Sequence, residues 1–411
     1  MANTAKLNSR ERIIKALNHQ ESDRVPIDFG GTDSTSIQLG PYKRLAKKIG
    51  CELKAPIFLH DQMQQQTEVS MEIADYFHSD ARFVYLGYPK QWRNDVAYDG
   101  TAVKVPANFQ PVRLPNGDLQ VMNAKGQAIM KMPKDGYFFD FPYHNLADCK
   151  TAKDIEAQRD TIENFDVSAW HDMTLKDMGN KAQSIRQGTD KYIVGIFGGH
   201  VFQVGQILRG WSQFPMDLVG NAALADCLME IAVDGQIKNF DAWYKYTGPW
   251  VDAVALADDL GIQTHTWVSP GMYRKQIKPH QKRLFQHIKK TAPELTLFYH
   301  SCGSVYEIIS DFIEMGVQVL NPVQYTANKM ELACLKQEFG KDLAFWGGGC
   351  DSQKILPYGT PQEVADEVKK NIDIMAPGGG FVFGSVHNIT EGVPTDNIVA
   401  MFETAYQCGA Y

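Results

Sequence analysis

The sequence predicts an α/β fold of the (β/α)₈ or TIM-barrel class, and three observations predict it. Eight short runs rich in apolar residues recur along the 411-residue chain. Most of these runs are nearly continuous, as expected of parallel strands that are buried on both faces. Helical patterns lie between the runs, and polar side chains follow at the point where most runs end. Strands that alternate with helices in this way form a parallel barrel, whose functional face is at the carboxyl ends of the strands.

The elements can be placed in order along the chain. A helix precedes the first strand, with Ser9 as its predicted N-cap and with Ile13, Ile14 and Leu17 on one face. The eight predicted strands cover residues 25–29, 82–86, 192–197, 251–257, 295–299, 317–320, 343–346 and 381–386. The clearest helices are predicted at residues 215–246, 273–290, 305–314 and 361–374. The last of them has a strong start signal, because Thr360 and Pro361 are followed by Glu363.

The stretch from residue 89 to residue 190 does not fit the barrel pattern. Turn pairs at Asp99-Gly100, Asn116-Gly117 and Lys125-Gly126 indicate antiparallel hairpins up to about residue 134. Residues 135–190 have helical, amphipathic patterns, and no linker or repeat divides the chain. We therefore predict one barrel domain over residues 1–411, with a helical extension at the N-terminus. Residues 89–190 would be a hairpin and helix subdomain inserted after strand two.

Composition excludes several classes of function. Hydrophobic residues make up 44% and charged residues 22% of the chain, as in water-soluble globular proteins. A net charge of −7 without a basic patch argues against nucleic acid as a partner. There is no apolar run of the length that crosses a membrane and no apolar core of a signal peptide. The seven cysteines do not form a disulfide pattern, so we predict a reducing, cytoplasmic location.

Three side chains of metal-ligand type follow predicted strands. His300 and Cys302 end strand five, and Cys350 follows strand seven. Residues i and i+2 of a strand share a face, so His300 and Cys302 point the same way. An imidazole and two thiolates are ligands that hold zinc, and three protein ligands would leave a position open for catalysis. The alternative is two buried core cysteines and a hydrogen-bonded histidine.

Other polar side chains at the strand ends are candidates with two interpretations each. Asp258 is either a fourth ligand or substrate contact, or it caps a helix. His200 and His387 either act as acid or base or make structural hydrogen bonds. Asn321 and Gln324 either line the pocket or satisfy the backbone of a loop. The remaining cysteines are interpreted as inert thiols, namely Cys51, Cys149, Cys227, Cys334 and Cys408.

Nearly the whole chain resembles the uroporphyrinogen decarboxylase superfamily, and within it the branch of zinc-dependent, corrinoid-linked methyltransferases. The His-x-Cys…Cys pattern is the specific mark of that branch. The resemblance is carried by Arg24-Val-Pro-Ile-Asp-Phe, Gly195-Ile-Phe-Gly-Gly, Ala257-Asp258-Asp259-Leu-Gly, Tyr299-His300-Ser-Cys302-Gly, Leu320-Asn-Pro-Val-Gln324, Trp346-Gly-Gly-Gly-Cys350, and Pro377-Gly-Gly-Gly-Phe381 with His387-Asn388. It implies a (β/α)₈ barrel with zinc at its mouth, held by His300, Cys302 and Cys350.

The resemblance further implies transfer of a methyl group between a small methylated substrate and a corrinoid protein. A methoxylated, aromatic compound is the favoured substrate, which would make the reaction an O-demethylation. Asp258, His200 and His387 would manage a proton on the leaving oxygen. A homodimer is a further expectation. Residues expected to contact the substrate are Asp259, Asn321, Gln324, Tyr325, Trp346 and Phe202; for each aromatic among them, core packing is the alternative.

Two other functions remain open at this point. One is a metal-free lyase that acts on a tetrapyrrole or another carboxylic acid, as the decarboxylases of the superfamily do. Those enzymes carry arginines after the first strand, whereas residues 28–36 of this chain contain none, so a polycarboxylate would lack its counter-ions. The other is a non-catalytic protein that binds a corrinoid or tetrapyrrole.

Overall fold

The predicted (β/α)₈ class is confirmed. The computed structural model describes residues 7–53, 56–85, 91–97, 100–123, 125–165 and 174–411. Seven parallel strands form one curled sheet in which each strand pairs with the next one along the chain. These strands are Ala81–Val84, Tyr192–Gly198, Ala253–Ala257, Thr296–His300, Val319–Asn321, Ala344–Trp346 and Phe381–Val382. Residue 86, where strand two was predicted to end, lies outside the described residues.

The first predicted strand, residues 25–29, fills the eighth place of the barrel. Ile27 pairs in parallel with Ser79 on one edge of the sheet and with Phe383 on the other. The amide of Asp28 donates to the Phe383 carbonyl at 2.7 Å, which joins the two edges through this segment. The pairing stays short because Pro26 has no N–H to donate, although its carbonyl accepts from Phe383.

The N-terminal helix, Ser9–Leu17, packs against the amino-terminal ends of the barrel strands. Ile13 is 0% exposed and belongs to the apolar cluster that fills the barrel interior. The carbonyl of Ala16 accepts from the amide of Gly380 at 2.7 Å. The N-cap is Asn8 and not Ser9, since the Asn8 side chain accepts from the amide of Glu11 and Glu11 accepts from the amide of Asn8.

Helices surround the sheet. The predicted helix at residues 215–246 is interrupted near Asn221, whereas the predicted helix at 361–374 is found with Thr360 as N-cap and a reciprocal bond to Glu363. The described α-helices are Ser9–Leu17, Leu39–Lys48, Met71–Tyr76, Ala152–Glu156, Arg159–Glu163, Leu175–Gly188, Phe202–Arg209, Gln213–Gly220, Ala222–Tyr246, Pro270–Met272, Lys278–Thr291, Ile309–Met315, Leu332–Phe339, Ile355–Tyr358, Pro361–Met375 and Thr395–Cys408. Short 3₁₀ segments cover Asp33–Thr35, Gly248–Trp250 and Tyr306–Ile308, and a π segment covers Tyr273–Ile277.

Segments before strand two and between strands two and three form two further sheets. A five-stranded sheet contains Ile37–Gln38, Ile57–Asp61, Gln66–Thr67, Trp92–Val96 and Ala102–Pro106, and a three-stranded sheet contains Val112–Arg113, Leu119–Met122 and Ala128–Met132. The predicted hairpins are therefore present, although Asp99 of one predicted turn lies outside the described residues. They do not stand alone, because Ile57–Asp61 comes before strand two in the chain and pairs in parallel with Ala102–Pro106. No helix in the described ranges is both long and apolar enough to cross a bilayer.

Candidate metal centre at the barrel mouth

The barrel mouth, meaning the face at the carboxyl ends of the barrel strands, is organised by the register of three neighbouring strands. Ala257 lies opposite His300, and His300 lies opposite Asn321. The amide of Asp258 donates to the His300 carbonyl at 3.0 Å. This register places the ends of strands four, five and six side by side. The polar residues that follow them are thereby brought to one edge of the sheet.

Three potential metal ligands converge at this edge. One donor atom each of His300, Cys302 and His387 lies within 4.8 Å of the other two. The Nε2 atom of His300 is 3.4 Å from the Cys302 thiol, and the ring centroids of the two histidines are 6.0 Å apart. His300 and Cys302 therefore share a face as predicted. His387, which was predicted as an acid or base, joins them.

Each of the two histidines is oriented by an asparagine. Nδ1 of His300 donates to Oδ1 of Asn321 at 2.8 Å, and Nδ1 of His387 donates to Oδ1 of Asn388. These bonds assign the Nδ1–H tautomer to both rings, so each Nε2 carries a lone pair, and that of His300 faces the Cys302 thiol. Histidines that bind metals are commonly fixed by such a bond at the other ring nitrogen. Asn321 is itself held, because its Nδ2 donates to the Trp346 carbonyl at 3.0 Å.

Burial shifts the pKa values of two of the converging groups, Cys302 and His387. Burial raises the pKa of the Cys302 thiol well above its usual value, and the charge of Asp259 raises it further. Burial lowers the pKa of His387 to about 4, and His300 lowers it as well. The carboxylate of Asp259 accepts from the amide of Cys302 at 3.0 Å and is 3.7 Å from His300 Nε2. Two imidazoles, a thiol and an adjacent carboxylate match the donor types that zinc prefers.

Cys350, the third ligand predicted from the sequence, lies outside this converging group. It is 0% exposed, and its thiol donates to Oε2 of Glu367 at 3.4 Å. Burial raises the pKa of the Cys350 thiol well above its usual value, with a further contribution from Glu367. Strand seven ends at Trp346, and Gly347 and Gly348 follow with φ of 91° and 83°. The direction of the Cys350 side chain could therefore not be read from strand alternation.

Asp258 holds a helix in place. Its two carboxylate oxygens accept from the amides of Val201, Phe202 and Gln203 at 3.0, 2.9 and 2.7 Å, and from Nε2 of Gln281 at 2.9 Å. This is the capping alternative noted from the sequence, at the start of helix Phe202–Arg209. Burial raises the pKa of Asp258. The carboxylate is thus occupied by four donors and acts on the site through the helix that it anchors.

His200 lies next to this anchor. Its Nδ1 is buried and has no hydrogen-bond partner among the described residues. Burial lowers the pKa of His200, against the opposing charges of Asp258 and Asp259. A neutral imidazole with a free ring nitrogen can accept or return a proton.

The predicted aromatic walls of the pocket are mostly core residues. Trp346 is 0% exposed in the barrel interior, where its indole N–H donates to Oδ2 of Asp28 at 2.7 Å. Phe202 is 0% exposed and packs against Phe214, with ring centroids 5.6 Å apart. Core packing, the alternative noted for these aromatics, therefore describes both.

Of the two candidates after strand six, Gln324 is held by hydrogen bonds, whereas the buried hydroxyl of Tyr325 has no partner among the described residues. Gln324 accepts from the amide of Gly303 at 2.8 Å and donates to Gln263 at 2.9 Å, so it shapes the loop after strand five. Tyr325 lies beside Glu367, and burial followed by the charge of Glu367 raises its pKa.

Three residues at the mouth were missed as site candidates. Asn388 was noted only as part of a motif, and its role depends on contact with His387. Asp33 and Asp61 lie near each other, and burial followed by the charge of Asp61 raises the pKa of Asp33 to about 7. The polar run after strand one was a sequence signal for Asp33. Asp61 belongs to a strand that the sequence pattern did not reveal.

A (β/α)₈ barrel with side chains of metal-ligand type gathered at its mouth has the layout of the barrels that carry an enzyme-like site. The family model described as Uroporphyrinogen decarboxylase (URO-D) matches residues 179–408. The chain belongs to the uroporphyrinogen decarboxylase family. The match includes all three converging residues.

Individual relatives are distant. The uroporphyrinogen decarboxylase of Crocosphaera subtropica is 24% identical over 231 residues, covering 55% of this chain and 61% of the relative. That of Synechocystis sp. is 26% identical over 257 residues, covering 61% and 68%. The matched region thus spans less than two thirds of the Crocosphaera protein. A solved methyltransferase from Methanosarcina mazei has a TM-score of 0.58 at 16% identity, covering 98% of this chain and 99% of the other, which shows a common fold.

Proposed function

We propose that this protein is a zinc-dependent methyltransferase that moves a methyl group between a small methylated substrate and a corrinoid protein. The favoured substrate is a methoxylated, aromatic compound, so that the reaction is an O-demethylation. The observation that carries the proposal is the convergence of His300, Cys302 and His387 within 4.8 Å at the barrel mouth. The full-length fold likeness to a protein described as a methyltransferase supports the same class.

The residues present fit a zinc ion. Both histidines offer Nε2 and are fixed at Nδ1 by asparagine, and the nearby thiol supplies a sulfur ligand. The ligand set is proposed in two forms that share His300 and Cys302. The third donor is Cys350, as the His-x-Cys…Cys pattern predicts, or His387, as the converging donor atoms favour. Cys350 would have to turn away from Glu367 to take part.

The chain's own residues would prepare the site for methyl transfer. Zinc held there would supply a Lewis acid for the heteroatom that loses or gains the methyl group. Asn321 and Asn388 keep both imidazoles in place. Asp258 fixes the amino-terminal end of helix Phe202–Arg209. His200 would exchange a proton between its Nδ1 atom and the departing oxygen of the substrate.

The partners and setting belong to the same proposal. The corrinoid protein would present its cofactor at the barrel mouth. A cytoplasmic location suits a site that needs a reduced thiol, since cytoplasmic thiols are kept reduced. Assembly into a homodimer remains a prediction that sedimentation would measure.

A lyase that acts on a tetrapyrrole or another carboxylic acid is the alternative, and the family's curated relatives favour it, because those named here are uroporphyrinogen decarboxylases. Two features of this chain count against it. The segment after strand one contains Asp33 and no arginine that would bind carboxylates. A metal-free lyase would also have no use for the converging ligands.

Zinc binding by the full-length protein tests the site. We expect about one zinc per chain, and a loss of roughly tenfold or more in affinity on His300→Ala or Cys302→Ala. His387→Ala and Cys350→Ala are compared to identify the third ligand, which is the residue whose replacement causes the loss of zinc. Cys334→Ala is the matched control, since Cys334 is exposed on helix Leu332–Phe339. Zinc that binds equally well to wild type and Cys302→Ala would contradict the site.

Methyl transfer tests the activity. The zinc-loaded protein is mixed with a Co(I) corrinoid protein and with methoxyarenes, methylamines, methanol or thiols, and methylation of cobalt is followed by absorbance. We expect methylation from a methoxyarene with wild type and not with Cys302→Ala. Decarboxylation of a porphyrinogen without metal would instead support the lyase.

A further inference from the structure

We infer that the barrel mouth carries a second binding point, formed by Asp33, Asp61 and Gln66, that takes a hydroxyl group of the small substrate. The inference rests on the proposed methyl transfer, because it names the class of molecule that the site admits. It adds a specificity determinant that is separate from the converging metal ligands.

Hydrogen bonds through Gln64 and Asn388 connect Asp33 and Asp61 to the candidate metal centre. Asp33 begins the 3₁₀ segment after the first barrel strand, and Asp61 ends strand Ile57–Asp61. Gln64 links them, since its backbone amide donates to Asp61 at 3.0 Å and its Nε2 lies 3.5 Å from Oδ2 of Asp33. The Oε1 atom of Gln64 accepts from Asn388 at 2.8 Å, and Asn388 orients His387. The Asp33 carboxyl group is thus two side chains away from His387, and Asp61 is connected to the same path through the backbone of Gln64.

No cationic side chain in the described part of the chain balances the two carboxyl groups. None of the described lysine, arginine or histidine side chains forms an ion pair with Asp33 or Asp61. Burial raises the pKa of both groups, and the charge of Asp61 brings the pKa of Asp33 to about 7. Both residues are partly exposed. The charge of Asp61 means that the pair includes an ionised carboxylate, which can accept a hydrogen bond from a ligand.

Gln66 supplies an independent sign of a ligand. It is the antiparallel partner of Asp61, so the two side chains leave the sheet on the same face. Its Oε1 contacts Ser36 Oγ, which is also 2.6 Å from the carbonyl oxygen of Asp33. Gln66 is 0% exposed, and its Nε2 has no hydrogen-bond partner among the described residues. A buried N–H without a partner is unfavourable, and a ligand oxygen between the two aspartates would satisfy it.

The chemistry of the three side chains selects a hydroxyl group. Carboxylate oxygens accept a hydrogen bond, and the Gln66 amide donates one. A hydroxyl group both donates and accepts, so it satisfies both. An ammonium group has no lone pair for Gln66, an ether has no hydrogen to donate to the ionised Asp61 carboxylate, and a ligand carboxylate would be repelled by the charge of Asp61. Among methoxylated aromatics, the mouth would therefore favour methoxyphenols.

Calorimetric titration of the zinc-loaded, full-length protein tests the inference. The probes are 2-methoxyphenol, 1,2-dimethoxybenzene, 2-methoxybenzoate and 2-methoxybenzylamine. We expect 2-methoxyphenol to bind roughly tenfold tighter than the other three, as one charge-assisted hydrogen bond would give. Asp33→Asn and Gln66→Met should each reduce that preference to about threefold or less. Asp366→Asn and Gln362→Met, on the exposed side of helix Pro361–Met375, are the matched controls and should keep it.

The wild-type series alone can overturn the inference, even if a variant fails to fold. Equal affinity for 2-methoxyphenol and 1,2-dimethoxybenzene would overturn it, as would binding of none of the probes. Tighter binding of the amine would show a cation site instead, and tighter binding of the benzoate an anion site. Methyl transfer at equal rates from all four probes would defeat the inference and leave the proposed function intact. A preference for the hydroxyl group without any methylation of the corrinoid would support the hydroxyl-binding point and contradict the proposed methyl transfer.

Discussion

Single residues at the mouth act through their neighbours more than the sequence suggested. Asn321 was expected to touch the substrate, but its side chain bridges His300 and the Trp346 carbonyl. The sequence could predict that the polar side chain of Asn321 stands at a strand end. It could not predict the hydrogen-bond partner of Asn321, because a hydrogen bond between residues 21 positions apart depends on strand register.

Asp33 should make stability depend on pH. Its pKa is raised from 3.8 to about 7, so between these values the folded protein holds a proton that the unfolded chain has released. The free energy of unfolding therefore falls as pH rises through this window. Asp33→Asn removes the titration. We expect the variant to gain stability relative to wild type on going from about pH 5 to about pH 8, on the order of 2 kcal/mol.

Thermal melts at the two pH values measure this difference. Asp366→Asn, at an exposed position of helix Pro361–Met375, controls for the loss of one carboxyl group. A difference between wild type and Asp33→Asn that does not change with pH would show that the aspartate titrates normally.

At the scale of elements, helix Phe202–Arg209 depends on a residue of another strand. Asp258 accepts from three successive amides at the start of this helix. Asp258→Ala would leave those donors without a partner. We expect a loss of about 2–4 kcal/mol in the free energy of unfolding, measured with urea, and unchanged zinc affinity.

Asp241→Ala is the matched control for that change. Asp241 is exposed and contacts His287 on the surface, so its loss should cost less than about 0.5 kcal/mol. A drop in zinc affinity for Asp258→Ala, with little loss of stability, would restore the alternative in which Asp258 is a metal ligand.

Helix starts could be predicted where the signal is local, and side-chain directions past a strand end could not. Thr360, Pro361 and Glu363 lie within four positions, and the helix begins as expected. Cys350 follows three glycines, two of them with positive φ, and its thiol reaches Glu367. Glycine imposes little on the backbone, so the direction of the next side chain depends on tertiary contacts.

At the scale of the whole molecule, the barrel class followed from the apolar strand pattern because both faces of each strand are covered. The extra sheets were harder to predict. The hairpin between residues 92 and 106 was visible from its turn, but the parallel pairing of its second strand with Ile57–Asp61 joins segments on both sides of strand two. Asp61, at the end of the same strand, is connected to the mouth through Gln64 and Asn388. Local sequence patterns do not reveal such long-range contacts.

The helix Ser9–Leu17 has a consequence for the order of events in catalysis. With Ile13 inserted at the amino-terminal end of the barrel, the small substrate and the proposed corrinoid protein must use the same entrance. A protein docked on an empty barrel would block the substrate, so the substrate has to enter first. Initial rates should therefore follow an ordered sequential pattern, with inhibition by excess corrinoid protein that high substrate relieves. Rates that rise to a plateau with corrinoid protein at every substrate concentration would point to a second route into the site.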